Sequence, residues 1–252
     1  MIMKIQDVLS PHFCESKKTL TPLILVSYDS DFCQDVVARG LLTADQMRHA
    51  CDSYRLGKSK SGKCIFWMMD ELGIVRDGHL ADTWVSQLLK VREPQLLQSW
   101  TPTSCLFGQH LLTNTNLTNP TNLYSCHSSN SCSTKNKPVC VVESEASAVI
   151  LSELFPESLW MAYADNTFLY PEFLAPLQSR TVTIYPRTDS TRSTYLFFLE
   201  YATLVRRTYP TIDLSVDTTL EDHATDKQKA CNIDLVDFIF DSHTNCTNPT
   251  DD

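Results

Sequence analysis

The stretch that decides the fold is PVCVVESEASAVIL, residues 138–151. Four apolar and mostly β-branched residues at 139–142 predict a short strand that is covered on both faces. Ser144 is a good N-cap, so we expect a helix to begin at Glu145 or Ala146. Glu143 then lies at the carboxyl end of a parallel strand, where open α/β sheets bind their ligands. Glu143 is therefore either a metal-binding or proton-transfer group, or an ordinary solvated turn residue.

Strands and helices alternate in the sequence that follows this stretch. Apolar and β-branched runs predict further strands at 159–163, 181–185 and 212–216. Helical periodicity predicts helices at 170–177, from 190 or 191 to 207, and at 234–240. Such alternation is typical of a parallel sheet with right-handed crossovers. We therefore expect an α/β domain over residues 138–241.

A smaller α+β region precedes this domain. Residues 1–40 show no clear pattern and are expected to form an irregular N-terminal segment. Thr43 is a good cap for a helix that ends near Tyr54. The apolar run 64–69, a turn and the run 74–80 predict a β-hairpin, followed by a short helix or a last strand from Trp84 to Lys90. The predicted fold is thus a parallel α/β sheet flanked by helices and preceded by an α+β region at 41–112.

Two segments lack the apolar residues that a packed core requires. Residues 113–137 are rich in Asn, Ser and Thr, which predicts a loop or linker, and residues 242–252 predict a disordered tail. Cys126, His127 and Cys132 lie in the loop and are either part of a zinc site or free thiols. Cysteines elsewhere in apolar surroundings are expected to be small buried hydrophobic residues, namely Cys64, Cys105, Cys140 and Cys231.

Composition excludes some functions. The 252 residues carry a net charge of −9, so indiscriminate coating of DNA is not expected. Any nucleic-acid contact requires a local basic patch or bridging metal ions. No apolar run reaches the length of a membrane span, and the N-terminus lacks a signal-peptide core. We expect a cytoplasmic protein with no membrane partner.

One basic patch lies at the predicted hairpin. Its members are Arg55, Lys58, Lys60 and Lys63. These side chains either contact phosphates or form a solvated hairpin tip, and the second explanation is the more common one for a run of charges. Trp67 follows closely and is a candidate for stacking on the bases of single-stranded nucleic acid.

Acidic residues follow several of the predicted strands. If the first and third strands of the parallel sheet are neighbours, Glu143 approaches Asp189, and Asp222 or Asp237 completes an acidic rim. Clustered carboxylates favour Mg²⁺, which takes oxygen ligands and retains waters for phosphate chemistry. The pattern therefore predicts a magnesium site that binds a phosphodiester.

Three segments resemble the motifs of Toprim domains, which occur in bacterial primases and topoisomerases. VVESE at 141–145 resembles the first motif, a strand that ends in an acidic residue before a helix. IYPRTD at 184–189 resembles the second, a strand that ends in Asp-x-Asp, and IDLVD at 233–237 resembles the closing acidic segment. Other segments between residues 40 and 241 resemble an uncharacterised Toprim-like family of bacterial mobile elements.

This resemblance implies a role for each residue. Glu143 corresponds to the catalytic acid or base, and Glu143, Asp189 and Asp237 to ligands of Mg²⁺. Arg187 stands where the first Asp of Asp-x-Asp belongs, and a guanidinium cannot bind a cation but can contact phosphate. Two functions follow as expectations. One is a degenerate, non-catalytic module that binds nucleic acid or a replication or transfer protein. The alternative is an active Mg²⁺-dependent nucleotidyl transferase or phosphodiester-cleaving enzyme of the primase type.

Overall fold

The computed structural model describes residues 25–80, 83–92, 105–113, 137–164 and 170–240. The predicted disordered tail, the first 24 residues of the predicted irregular segment and nearly all of the predicted loop at 113–137 lie outside these residues. So do Cys126, His127 and Cys132.

An antiparallel sheet of four strands forms the N-terminal part, in the order β1-β2-β3-β4. The strands are β1 Gly57–Lys58, β2 Cys64–Met69, β3 Val75–Leu80 and β4 Thr83–Trp84. Strands β2 and β3 form the predicted hairpin, with Phe66 opposite His79. The segment from Trp84 onwards was expected to be a helix or a strand, and it contains both, because β4 leads directly into helix α3, Val85–Arg92. Helix α3 packs against β3 and β4.

Two helices precede this sheet, and the first corrects the prediction of an irregular segment up to residue 40. Helix α1 spans Asp31–Ala38, and helix α2 spans Ala44–Tyr54. The side chain of Ser30 caps α1 by accepting from the backbone of Cys33, and Cys33 and Val36 bury one face. The signal was short, because two buried positions do not make a visible period. Helix α2 begins after Thr43 as predicted, with a capping box to Gln46.

A parallel sheet forms the C-terminal part, and all four predicted strands are present. They are β5 Val139–Val142, β6 Leu159–Ala162, β7 Thr181–Ile184 and β8 Asp213–Val216. Their order is β6-β5-β7-β8, so β5 and β7 are neighbours. Helices α4 Glu145–Leu154, α5 Ser193–Thr208 and α8 Leu235–Phe240 are near their predicted positions, and Ser144 caps α4 by accepting from the backbone of Ser147.

Three C-terminal elements differ from the prediction. The expected helix at 170–177 is a 3-10 helix, Pro171–Leu177, because Pro176 inside it cannot donate an α-helical hydrogen bond. Two short helices were missed, α6 Thr219–His223 and α7 Asp226–Ala230. Helix α7 has the capping box of Thr225 and Gln228, a signal that the sequence contains. Five residues are too few for an apolar period to reveal either helix.

One hydrophobic cluster joins the two sheets, and a second covers the other face of the parallel sheet. Tyr54, at the end of α2, is fully buried and donates its hydroxyl to the carbonyl of Trp160 in β6, 2.8 Å away. Its ring stacks on Phe107 at 5.0 Å, and Phe107 pairs with Ala162 through two backbone hydrogen bonds. The predicted burial of Cys64, Cys105 and Cys140 is confirmed, whereas Cys231 is only half-buried. In the described part of the chain, no helix has the length and apolar character that crossing a bilayer requires.

Gly108 and Gly62 offer a test of how tightly the two parts pack. Both have positive φ, +81° and +91°, so either change to Ala should cost about 1 kcal/mol of backbone strain. A Cβ on Gly108 would also lie 2.9 Å from the Trp160 carbonyl oxygen, whereas a Cβ on Gly62 meets no atom within 4 Å. We expect G108A to lose roughly 1–3 kcal/mol more than G62A in urea unfolding. Equal losses of unfolding free energy in G108A and G62A would contradict close packing of Gly108 on the Trp160 carbonyl.

Candidate functional site

The candidate site lies at the carboxyl ends of β5 and β7. These strands pair in parallel, with Val141 opposite Ile184, and the backbone N–H of Tyr185 donates to the carbonyl of Val141 at 2.8 Å. The turn after β5 carries Glu143, and the turn after β7 carries Arg187. The prediction that the first and third strands of this sheet end side by side is confirmed.

Arg187 binds Glu143 through two parallel hydrogen bonds. Nε donates to one carboxylate oxygen and Nη2 to the other, which is the planar fork that a guanidinium makes with a carboxylate. These bonds raise the pKa of Arg187 above its usual value. The side chain of Glu143 is 19% exposed and that of Arg187 is 41% exposed. Within the described residues, the hydrogen bonds of the Arg187 side chain are made by Nε and Nη2.

Glu145 and Ser147, which follow Glu143 at every second position, also bind side chains of other elements. Glu145, the first residue of α4, is buried and lies 2.7 Å from Nδ1 of His79 in β3, whose ring stacks on Trp84 at 4.9 Å. Ser147 donates its hydroxyl to the carboxylate of Asp234, just before α8. The turn and first helical turn after β5 therefore attach the antiparallel sheet and α8 to the site.

Tyr163, one residue after β6, brings a buried hydroxyl to this end of the sheet. Its side chain is 6% exposed, and the hydroxyl has no hydrogen-bond partner among the described residues. Burial raises the pKa of Tyr163 well above its usual value, and the negative charges of Glu143 and Asp234 act in the same direction. The charge of Arg187 opposes them. The backbone N–H of Tyr163 donates to the carbonyl of Val142 at 3.2 Å, which places this residue beside the turn that carries Glu143.

Asp189 lies four residues before helix α5, and its described hydrogen bonds are with the residues that lead into that helix rather than with Glu143. Its two oxygens accept from the backbone N–H groups of Thr191, Ser193 and Thr194, the last at 2.8 Å. Arg192 occupies the N-cap position with φ +61° and offers no cap of its own. Burial acts to raise the pKa of Asp189, but the hydrogen bonds from Thr191, Thr194 and Ser193 outweigh it and hold this pKa below its usual range.

The remaining acids of the predicted rim serve local structure. Asp237 accepts from the backbone of Asp234 at 3.3 Å, and Asp234 accepts from that of Asp237 at 2.9 Å, so the two cap the start of α8. Asp222 accepts from the hydroxyl of Thr218 at 2.6 Å.

In this arrangement the acids do not fit a magnesium site, since Arg187 and the start of α5 take the oxygens of Glu143 and Asp189. Over residues 25–80, 83–92, 105–113, 137–164 and 170–240, no three His, Cys, Asp or Glu side chains form a metal-binding group. The Mg²⁺ assignment stays a prediction.

The basic cluster lies around the turn between β1 and β2, not at the tip of the β2–β3 hairpin, and acids of α1 and of the residues before it neutralise part of it. Lys58 pairs with Asp29 and Lys63 with Asp31, each at 2.7 Å. Lys60 and Arg55 form no ion pair with any described residue. Among the described residues, acidic partners are therefore found for two of these four basic side chains.

The suggestion that Trp67 stacks on bases is wrong for this fold. Its side chain is 4% exposed. The ring fills the space beside Gly57 and Gly78, where an added Cβ would lie 2.6 Å and 2.8 Å from its atoms. Five of the six residues of β2 are buried, so the strand is covered on both faces and Trp67 is inside whichever face it occupies.

The sequence prediction missed four participants, although each has a partial signal. Ser147 and Asp234 lie within segments that the motifs covered, and Tyr163 closes a predicted strand. His79 lies on the second strand of the hairpin. None of their partners is nearby in sequence, because the Ser147–Asp234 bond joins residues 87 positions apart and the His79–Glu145 bond joins residues 66 apart.

Comparison with known proteins identifies one family. The Domain of unknown function (DUF6371) matches residues 31–188, more than half of the 252 residues. The match begins with helix α1 and includes both Glu143 and Arg187, while Asp189 and Asp234 lie beyond it. No curated protein matches the chain.

A double-mutant cycle measures the Glu143–Arg187 pair. We expect E143Q and R187M to be coupled by about 1–2 kcal/mol in unfolding free energy, since the carboxylate is four-fifths buried although the guanidinium is partly solvated. The exposed pair Arg39–Asp35 at 3.4 Å serves as a control, with side chains 52% and 60% exposed and an expected coupling of at most about 0.5 kcal/mol. Coupling at Glu143–Arg187 no larger than the control would contradict the fork geometry.

Asp189 should give a pH-dependent contribution to stability. D189N should lose about 1 kcal/mol at neutral pH, because asparagine replaces one of the two accepting oxygens at the start of α5. Because the pKa of Asp189 is lower in the folded state, its carboxylate stabilises the fold at pH values above the unfolded-state pKa of about 4. This stabilisation is lost as the pH falls through the folded-state pKa. Urea unfolding of both proteins should therefore show the difference shrinking below about pH 4. A constant difference would sink this role for Asp189.

Proposed function

We propose that this chain, which belongs to the DUF6371 family, is a non-catalytic Toprim-like module that binds nucleic acid through its phosphate groups. The observation that carries this proposal is the Arg187–Glu143 fork at the ends of β5 and β7. A guanidinium supplies positive charge at a point where the resemblance calls for a metal ion.

The topology supports the Toprim-like assignment. The order β6-β5-β7-β8 makes the strand of the first motif central and the strand of the second motif its neighbour. Both motifs then end at one edge of the sheet, which the chemistry of the resembled family requires. Asp234, from the third motif, accepts the hydroxyl of Ser147 in the first turn of α4.

The chemistry of Arg187 supports binding without catalysis. Both oxygens of Glu143 are engaged by Nε and Nη2, so the carboxylate is neither a free base nor a free metal ligand. The side chain of Arg187 is 41% exposed, and its Nη1 can donate to a phosphate oxygen while the fork stays intact. Because the carboxylate fixes the guanidinium plane, little side-chain freedom is lost when phosphate binds.

The overall charge indicates that such binding is local and weak. With a net charge of −9, the chain repels a polyanion except where basic groups are exposed. Lys60 is exposed in the turn between β1 and β2 and Arg55 is the half-buried C-cap of α2, while Lys58 and Lys63 pair with Asp29 and Asp31. A replication or transfer protein is the second kind of partner that the proposal allows.

Binding of a fluorescent single-stranded oligonucleotide, followed by anisotropy against salt concentration, tests the proposal. We expect affinity to fall with salt and to be the same in Mg²⁺ and in EDTA. R187Q should weaken binding about three- to tenfold and reduce the salt slope by about one, because one phosphate contact is lost. R39Q removes the same charge from an exposed site just after α1 and should have little effect.

The double variant E143Q/R187Q separates a contact from a charge effect, since its net charge equals that of the wild type. It should bind as poorly as R187Q if the guanidinium touches phosphate. Recovery of wild-type affinity, or salt-insensitive binding by the wild type, would refute phosphate recognition at this site.

The active primase-type alternative rests on two acids near the start of α4: Glu143 precedes that helix, and Asp234 accepts the hydroxyl of Ser147 in its first turn. Primer-synthesis and strand-cleavage assays over a Mg²⁺ titration would reveal it. We expect no activity in wild-type protein or in E143Q. Activity that requires Mg²⁺ and disappears in E143Q would overturn the non-catalytic proposal in favour of the enzyme.

A further inference from the structure

Two buried thiols face each other between α1 and α2. The sulfur atoms of Cys33 and Cys51 are 3.5 Å apart, and the residues are 2% and 0% exposed. Both are free cysteines. A disulfide requires sulfur atoms about 2.05 Å apart, so the pair needs an approach of only about 1.5 Å.

The surroundings of Cys33 favour its thiolate. Cys33 is in the first turn of α1, where backbone N–H groups carry partial positive charge, and its own N–H donates to Ser30 Oγ at 3.3 Å. The Ser30 hydroxyl donates back to the Cys33 sulfur at 3.1 Å. The hydrogen bond between the two sulfur atoms lowers the pKa of Cys33, and the same bond, followed by burial, raises the pKa of Cys51.

Access to this pair is from the Cys33 side. Cys33 lines a pocket of about 390 Å³ together with Tyr28, Met47 and Arg48, among others. Cys51 does not line it. A small polar oxidant can therefore reach Cys33, while Cys51 stands behind it as the partner.

We propose that Cys33 and Cys51 are a redox-active dithiol that a hydroperoxide converts to an intramolecular disulfide. The Cys33 thiolate attacks the peroxide O–O bond and forms a sulfenic acid, and the departing oxygen leaves as water or alcohol after it takes a proton from solvent. The Cys51 sulfur then attacks the Cys33 sulfur. The sulfenic hydroxyl leaves with the Cys51 proton as water. Two thiols and one hydrogen peroxide thus give one disulfide and two waters.

The new bond would tie α1 to α2. Helix α1 begins at Asp31, which pairs with Lys63, and Asp29 just before it pairs with Lys58. Both lysines flank the turn between β1 and β2. Oxidation therefore fixes the segment that neutralises this basic surface. A third thiol, Cys64, is also buried in this cluster but lines a different pocket, with Phe32 and Phe66.

Peptide mapping of the full-length wild-type protein tests the proposal directly. Reduced protein is treated with one equivalent of hydrogen peroxide, remaining thiols are alkylated, and the digest is analysed by mass spectrometry. The expected dominant product links the Cys33 and Cys51 peptides, lacks two hydrogens and disappears on reduction. The oxidised protein should melt roughly 5 °C or more higher, because the link closes a loop in the unfolded chain.

Variants establish the order of the steps. C51S should accumulate a Cys33 sulfenic acid that dimedone traps, whereas C33S should give no dimedone adduct at Cys51. C64S is the matched control and should still form the Cys33–Cys51 link. A wild-type map in which other cysteines oxidise while this link is absent would overturn the proposal, whether or not the variants fold. So would a dominant link from Cys33 to Cys64.

Discussion

The turn that follows β5 is the constraint on which the arrangement of this molecule depends. Within five residues, Glu143, Glu145 and Ser147 each bind a polar group from a different part of the chain. Charged groups that are mostly withdrawn from water must be paired, because an unpaired buried charge costs several kcal/mol. These three bonds therefore specify how the loop after β7, the strand β3 and the start of α8 meet around one helix end.

This constraint also changes what the carboxyl edge of the sheet can do. An acid at the end of a central strand with a neighbouring acid would attract a divalent cation. Here the neighbour is Arg187, whose Nε and Nη2 donate to the two oxygens of Glu143. In this arrangement the oxygens of Glu143 are occupied by the guanidinium, which is the basis of the proposed phosphate contact. Asp189, the acid of the second motif, accepts hydrogen bonds from backbone N–H groups at the start of α5.

Charges are also paired around the turn between β1 and β2. Four basic residues in nine positions suggest a phosphate-binding tip, yet Asp29 and Asp31 neutralise two of them. The helix that begins with Asp31 also contributes Cys33 to the buried thiol pair. Surface charge at the tip and thiol chemistry in the core are thus carried by one short segment of chain.

Much of the fold could be predicted from the sequence, because its signals are local. The apolar run at 139–142, the cap at Ser144 and the alternation that follows depend on neighbours within a few residues, and so do the hairpin and the Thr43 cap. Helix α1 and the two five-residue helices escaped prediction because they are too short to show a period. The candidate site could be predicted only in part. Glu143 and Arg187 were recognised as residues of neighbouring turns, but the expected partner of Glu143 was Asp189.

Only the tertiary structure decided which polar groups meet. The partners of Glu143, Glu145 and Ser147 are 44, 66 and 87 residues away, distances at which sequence carries no pairing information without the sheet order. The burial of Trp67 and the facing sulfur atoms of Cys33 and Cys51 have the same origin. Local sequence determines where helices and strands begin, since that depends on backbone hydrogen bonds and apolar period. The chemistry depends on which side chains the packed core brings within about 3 Å of each other.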